Sequence, residues 1–417
     1  MIDALLERFA IGPEVARAAR AAEARTGERD RSLRAPIEAR VLAAFLDEGA
    51  SESDLAATYG YGYDDAGRDR YEAILARVLG AERAFARLSF ASGTSAIVTA
   101  IAACLPQHGR ILAATGRPYD TLRNALVDAP YSLVAQGAHY TEVARASTGG
   151  ADLAAIAKAA ASGVDVVFVQ RSRGYAPQRS LSAVECGEVA RTVRTVAPHA
   201  FVLVDNCYGE LVEAGEPTHH GADAVMGSLI KNLGGGIAPA GGYVAGRAEV
   251  IERVAARHYA PGLGTAVGPS FGFTRELLHG LFRAPLVVGE CLAGLDFAAA
   301  LFEELGFGVD PLPGAARHDI VQAIALGDES KLVAFARGLQ RAMPVNARFA
   351  PEPGAVPGYP EPVVMSSGAF VSGATIELSC DAPLRAPFEV YLQGGTSRAH
   401  VAAGSLFAAQ ELFKESK

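Results

Sequence analysis

AFVLVDN, residues 200–206, is an unbroken apolar run that ends in an acid and an amide. An alternating run would mark a strand with one wet face. A continuous run marks a strand buried on both faces, as in a sheet covered by helices on either side. Comparable runs stand around it: VDVVFVQ (164–170), ADAVMG (222–227) and GGYVAG (241–246), with LSFAS (88–92) as an earlier strand candidate. Ala-rich helical runs separate them. The alternation from about residue 85 to 250 predicts an α/β domain built on a largely parallel sheet. In such an open sheet ligands collect at the carboxyl ends of the strands, which is where Asp205 stands.

Outside this region the pattern changes. Residues 1–50 read as helix, rich in Ala, Glu and Arg, and form an N-terminal arm. A loop, YGYGYDDAGRDRYE (59–72), leads into the first helix of the large domain, which is assigned residues 51–275. Residues 275–306 read as helix. The remainder mixes strands and helices, with HDIVQAIALG and ATIELSC as strand candidates, a Pro/Gly-rich surface loop at 351–362 and a closing helix from 399. Residues 276–417 are assigned to a small C-terminal α+β domain.

Composition narrows the function. The chain has 417 residues, half of them hydrophobic, and a net charge of −8. That is enough for two cored domains, and the charge opposes binding to nucleic acid or anionic lipid. No signal-peptide pattern opens the chain, and no stretch of about 18 uncharged apolar residues suggests a membrane span. The five cysteines are scattered without a CxxC pair, and the nine histidines form no HxH or HxxxH pair. Reduced thiols, a cytoplasmic location and no metal site are the expectation.

Four features carry chemistry together. FASGTSAI (90–97) follows a strand candidate and opens a helix, so its small residues expose N–H groups at a positive helix end. PYDT (118–121) supplies Tyr119, an aromatic able to stack on a planar ring. Asp205 ends a buried strand. Lys231 lies in GSLIKNLGGG (227–236), between an apolar turn and three glycines that let the backbone pass close beneath a ligand. A lysine in a low-dielectric site loses its proton readily and can join an aldehyde. A phosphate cradle, a stacking ring, a carboxylate for a ring nitrogen and an aldehyde-binding lysine fit one cofactor, pyridoxal 5'-phosphate (PLP). A nicotinamide enzyme would want GxGxxG after the first strand, which SGTSAI does not supply.

This order resembles the large domain of the aspartate-aminotransferase superfamily, the fold type I PLP enzymes. Longer stretches resemble one family within it, the methionine γ-lyase-like or aluminium-resistance family, related to the cystathionine lyases. They are YGYGYDDAGRDRYE, VQRSRGY, VDNCYGE, SLIKNLGGGIAPAGGYVAG, LFRAPLVVGE, PGYPEPVVMSSGAF and IELSCDAPLRAPFEVYLQGGT, and they cover the chain from about residue 40 to its end. The resemblance implies that Lys231 joins the cofactor and later shuttles a proton, and that Asp205 pairs with the pyridine nitrogen. It implies that Ser92, Gly93, Thr94 and Ser228 hold the phosphate, and that Tyr119 stacks on the ring. A tyrosine from a neighbouring subunit, Tyr61 or Tyr63, would reach the site and help protonate the leaving sulfur. Relatives place an arginine two residues beyond that tyrosine. None stands there in this chain, and Arg68 is a substitute only if the loop differs in shape. Where relatives read IRLS and bind the substrate carboxylate by arginine, this chain reads IELS, with Glu377 at that place. Arg385 and Arg173 are the expected replacements, and a Glu377 facing the pocket would favour a substrate with a distal cation.

The implied activity is a carbon–sulfur lyase that eliminates a thiol from a cysteine-, cystathionine- or methionine-like amino acid, leaving a keto acid and ammonia. The alternative is another PLP reaction on the same scaffold, of aminotransferase, decarboxylase or aldolase type. The expected partner is a small amino acid. The expected assembly is a homodimer or homotetramer with shared active sites, the N-terminal arm and the Tyr-rich loop crossing to the partner.

Overall fold

In a computed structural model, residues 1–26, 34–356 and 359–414 are described. Part of the expected N-terminal arm (27–33), part of the expected Pro/Gly loop (357–358) and the last three residues lie outside them. The elements are, in chain order, α1 (Ile2–Arg8), α2 (Pro13–Thr26), α3 (Arg34–Glu48), α4 (Ala66–Leu79), β1 (Arg83–Arg87), α5 (Gly93–Cys104), β2 (Arg110–Ala113), α6 (Asp120–Arg123), β3 (His139–Glu142), α7 (Leu153–Ala161), β4 (Val166–Gln170), α8 (Ala183–Val196), β5 (Phe201–Asp205), β6 (Ala224–Ser228), β7 (Gly242–Gly246), α9 (Ala248–His258), α10 (Thr274–Glu304), β8 (Gly308–Asp310), β9 (Val321–Ala325), α11 (Glu329–Gln340), β10 (Val363–Ser367), β11 (Ser379–Pro383), β12 (Glu389–Gln393) and α12 (Arg398–Lys414).

The chain divides into two compact units. The larger comprises Ala35–Gly174 and Gln178–Ala284, and the smaller comprises Met1–Arg34, Tyr175–Pro177 and Pro285–Lys417. The division at 284/285 falls inside α10. Of residues 1–50, read as a separate arm, those up to Arg34 belong to the smaller unit and those from Ala35 to the larger.

The larger unit holds a seven-stranded sheet in the order β1-β7-β6-β5-β4-β2-β3. β2 to β6 pair in parallel, and β7 runs antiparallel to both its neighbours. Every residue of β4, β5, β6 and β7 is buried, which is why their sequences are continuous rather than alternating. Phe168, Leu203, Met226 and Val244 meet Ile97 and Ile101 of α5 and Val250 and Val254 of α9 in one apolar core. α8 is started by a reciprocal cap: the Glu185 N–H donates to Ser182 Oγ (3.1 Å) and the Ser182 N–H donates to Glu185 Oε2 (2.9 Å).

One strand differs from expectation. The first strand is RAFAR (83–87), and LSFAS (88–92) forms the turn that enters α5. β1 lies at the sheet edge, so it carries Arg83 partly exposed, while the buried Arg87 is balanced by an ion pair with Glu72. β2 and β3, four residues each, escaped the sequence reading.

The smaller unit holds a five-stranded antiparallel sheet, β10-β11-β12-β9-β8, with α11 and α12 among the helices of that unit. α2 is tied to its own chain, Arg398 donating to Glu23 (2.6 Å) and Arg25 to Glu303 (2.6 Å). IELS is not a strand: Thr375–Glu377 form a 3-10 turn, Leu378 has φ +90°, and β11 begins at Ser379. The 31-residue α10 is long and apolar enough to cross a membrane by composition, but 72% of its most apolar window is buried within the protein, so it reads as a core helix.

Candidate active site

Parallel pairing brings the ends of β4, β5 and β6 to one edge of the sheet. Gln170 pairs with Asp205, and Asp205 with Met226, two residues before Ser228. The loops that leave this edge carry the site.

Asp205 is buried. Its carboxylate accepts the Cys207 N–H (3.1 Å), and the Cys207 thiol lies beside it. Burial pushes the carboxyl above its ordinary range, and the Lys231 ammonium and the Cys207 N–H oppose that push. Lys231 follows β6 by three residues and begins a short 3-10 turn, Asn232–Gly234. Its Nζ lies 3.9 Å from the centre of the Tyr208 ring, a cation–π contact. Burial disfavours the ammonium. The surrounding acidic groups, Cys207, Tyr208, Tyr119 and Asp205, outweigh burial and hold Lys231 well above the ordinary lysine range. Gly234 and Gly235 permit the close approach foreseen at this turn: a Cβ at Gly234 would lie 2.4 Å from the Leu229 carbonyl, and Gly235 has φ +53°.

Ser92 caps α5, its Oγ accepting the Ser95 N–H (3.1 Å). Gly93 packs the start of α5 against the end of β6: a Cβ there would meet Ser228 Cβ at 3.1 Å and Ser228 N at 3.2 Å. Thr94 Oγ1 is 2.8 Å from the Tyr119 hydroxyl. The Tyr119 N–H donates to Gln170 Oε1 (2.9 Å), which fixes the tyrosine to the end of β4. Burial raises the Tyr119 phenol well above its usual range, and the Asp205 charge raises it further. The structure therefore brings Ser92, Gly93, Thr94, Tyr119, Asp205, Ser228 and Lys231 to one edge of one sheet.

The other expected residues fall differently. Tyr61 and Tyr63 are 77% and 57% exposed, their rings 5.8 Å apart on the surface of the larger unit. Arg68 does not present itself to a ligand. It is buried and donates to the carbonyls of Gly62 (2.8 Å) and Gly268 (2.9 Å), pinning the tyrosine loop from beneath. Arg173 is buried in the larger unit just beyond β4. Its neighbour Arg171 is a latch: it donates to Asn206 Oδ1 (2.6 Å), the Gly209 carbonyl (2.9 Å) and Glu213 Oε1 (2.5 Å), and pairs with Glu216 (3.3 Å). Arg385 belongs to the smaller unit, where it pairs with Glu361 (3.3 Å) and donates to the Tyr175 carbonyl (2.9 Å). Glu377 is buried and accepts the N–H groups of Phe370 (2.9 Å) and Val371 (3.1 Å). Both its oxygens serve the backbone, so the distal-cation expectation loses its basis.

Sequence reasoning missed Tyr208, Gln170, Asn232, Glu210 and Tyr243. Asn232 donates to the carbonyls of Tyr208 (3.1 Å) and Glu210 (2.9 Å), joining the lysine turn to the loop after β5. Tyr208 has φ +71°, an unusual conformation for a residue with a side chain. The DNCYGE motif contained the signal, but nothing in it showed which side chain turns toward the lysine. A separate surface groove of about 670 Å³, lined by Glu48, Asp69, Glu72 and Glu82 among others, contains none of these residues.

A sequence profile described as methionine gamma-lyase matches residues 15–413. The chain belongs to the methionine gamma-lyase family. It is 41% identical over 366 residues to the uncharacterized protein YnbB of Bacillus subtilis, covering 87% of each chain. It is similar to the crystal structure of a carbon–sulfur lyase involved in aluminum resistance from Clostridium novyi, at 35% identity, 98% coverage of both chains and a TM-score of 0.92. Cystathionine gamma-lyase from yeast shares the fold at 14% identity, covering 90% of this chain and 98% of the yeast chain with a TM-score of 0.62. The fold of this methionine gamma-lyase family member is thus that of the fold type I PLP enzymes: a large, mostly parallel sheet in a mixed α/β protein.

Proposed function

We propose that the protein is a PLP-dependent carbon–sulfur lyase. It eliminates a thiol, by β- or γ-elimination, from a small sulfur-containing amino acid and leaves a keto acid and ammonia. The observation that carries this reading is the meeting of Lys231 with the buried, electrostatically coupled Asp205 carboxylate at the strand ends, the amine 3.9 Å from the centre of the Tyr208 ring.

The residues present fit the cofactor. Asp205 is a buried acid raised by its own burial, a place that a protonated ring nitrogen would relieve. Gly93 leaves room where a side chain would press on Ser228, and α5 offers its positive end to a phosphate. When bound, the cofactor supplies an electron sink for the carbanion at the substrate Cα. Ser92, Gly93, Thr94 and Ser228 would hold its phosphate through hydroxyls and N–H groups. Tyr119 would stack on its ring while Thr94 and Gln170 hold the tyrosine in place. Asp205 would hold a proton at the ring nitrogen. Lys231 would bind the aldehyde, then as a free amine take the proton from Cα, acting as general base. Arg173 would orient the substrate carboxylate by a bidentate pair, and Arg385 is proposed for the same role. Tyr61 or Tyr63, exposed on the surface, would serve the site of a neighbouring copy and protonate the departing sulfur.

Borohydride reduction of the cofactor-loaded protein, followed by peptide mass spectrometry, tests the attachment at Lys231. Assays of cysteine, cystathionine and methionine for thiol, keto acid and ammonia test the reaction. A Lys231→Ala protein that still carried covalent cofactor and turned over would sink the assignment.

A further inference from the structure

The loop between β5 and the lysine turn delivers a second acid, one that the proposed mechanism leaves unused. Glu210 is completely buried. Its Oε1 accepts the Tyr243 hydroxyl of β7 (2.9 Å), and its Oε2 is buried without a hydrogen-bond partner among the described residues. Its carbonyl accepts the side-chain amide of Asn232, the residue next to Lys231. The Asn232 Oδ1 is likewise buried without a partner. Gly227 of β6 gives way to this pair: a Cβ there would lie 2.8 Å from Glu210 Oε1 and 2.9 Å from the Tyr243 ring.

An ionised carboxylate accepts only, and an orphaned charged oxygen in a buried place is costly. A proton on Oε2 removes that buried charge. The charged and titratable groups around Glu210 are Tyr243 from β7, Glu216 and Cys207 from the loops after β5, and Lys231. Burial pushes the carboxyl up to about 8, with the Glu216 charge adding to the push, against a hydrogen bond from its own backbone N–H, the Tyr243 hydrogen bond and the Lys231 charge. Lys231 must shed its proton before it can act as a nucleophile or a base, so any charge behind it matters.

We propose that Glu210 is a titratable positioning residue for Lys231, built into the Tyr243–Glu210–Asn232 linkage. Neutral, it adds no charge behind the lysine. Ionised, it adds a second carboxylate and holds the ammonium in its protonated form. The inference rests on the proposed role of Lys231 and extends it: the acid sets the pH range over which the amine is released.

The test compares wild type with Glu210→Gln, which keeps the shape and the acceptor for Tyr243 but cannot ionise. The first readout is the rate at which PLP attaches to the cofactor-free protein across pH. Attachment needs the free amine, so both rates climb with pH. The wild-type curve bends downward near pH 8 and the variant's does not. The rate ratio of variant to wild type grows from near one at about pH 6.5 to about ten at about pH 9.5, the size of a one-unit shift in the lysine. The second readout needs no cofactor. A carboxyl raised in the folded state contributes stability that is present below its ordinary value of 4.5 and lost as pH rises to about 8. The Tm of wild type minus that of the variant therefore falls between about pH 5 and 8 and is level above. Should the variant fold poorly, Tyr243→Phe removes the donor to Glu210 and moves the bend to higher pH. A rate ratio and a Tm difference that do not change with pH overturn the proposal even when wild type takes up the cofactor normally. Failure of wild type to take up the cofactor at all overturns the lysine assignment as well.

Discussion

The amine of Lys231 lies 3.9 Å above the centre of the Tyr208 ring, and the backbone of Tyr208 is held in a left-handed conformation to place it there. A ring face stabilises a cation by about 0.5–2 kcal/mol and also confines the lysine chain. Tyr208→Leu should keep covalent cofactor and release the Lys231 amine at lower pH, by up to about one pH unit. The pH dependence of PLP attachment, alongside borohydride fixation, checks both halves. An unchanged pH profile would mean that the ring serves packing alone.

Asp205 couples the site to pH. Its folded-state carboxyl is raised above the ordinary value of 3.8, so it contributes stability that is present below that value and lost as pH rises through the folded one. In the cofactor-free protein, the Tm of Asp205→Asn minus that of wild type should grow as pH rises above the ordinary carboxyl value of 3.8, and level off once the folded carboxyl has ionised. The same variant, once loaded, should lose about 10²–10³ in kcat, because an amide cannot hold the ring nitrogen's proton. Calorimetry across pH and steady-state kinetics read the two effects separately.

Gly93→Ala places a methyl 3.1 Å from Ser228 Cβ and 3.2 Å from its nitrogen. The helix tolerates alanine, so stability should change by less than about 1 kcal/mol. The cradle does not tolerate it, and PLP affinity should fall by about tenfold as the Gly93 and Ser228 N–H groups are pushed apart. Equilibrium dialysis and thermal melts of the same sample decide whether the effect is confined to the ligand.

Arg68→Ala strands the carbonyls of Gly62 and Gly268 beneath the tyrosine loop. The expected loss is about 2–3 kcal/mol in chemical denaturation, with no rescue by Arg68→Lys, which lacks the fork that reaches both carbonyls. If Tyr61 and Tyr63 serve a neighbouring copy, mixing a Lys231→Ala protein with a Tyr61→Ala/Tyr63→Ala protein should restore part of the activity that each lacks. Sedimentation of the mixture shows whether copies have exchanged.

Much of the larger unit is legible in the sequence. The strands β4 to β7 are buried on both faces, so their apolar runs are long and unambiguous. β1 was misplaced because RAFAR carries two arginines, which only an edge position and the Glu72 ion pair make tolerable. The lysine, the aspartate and the glycine loop were legible because each sits at a strand end where the chain changes composition. Glu377 and Arg68 were not, since their partners are backbone groups that leave no mark on composition. Glu210 and Tyr243 stand more than thirty positions apart and meet only through the strand order, which places β7 beside β6.

Arg171 fastens the end of β4 to four points of the segment from Asn206 to Glu216. That segment also carries Tyr208 and Glu210, so one guanidinium braces both the ring that faces Lys231 and the acid linked to Asn232. Damage at this one side chain would spread along the whole loop rather than stop at a single contact.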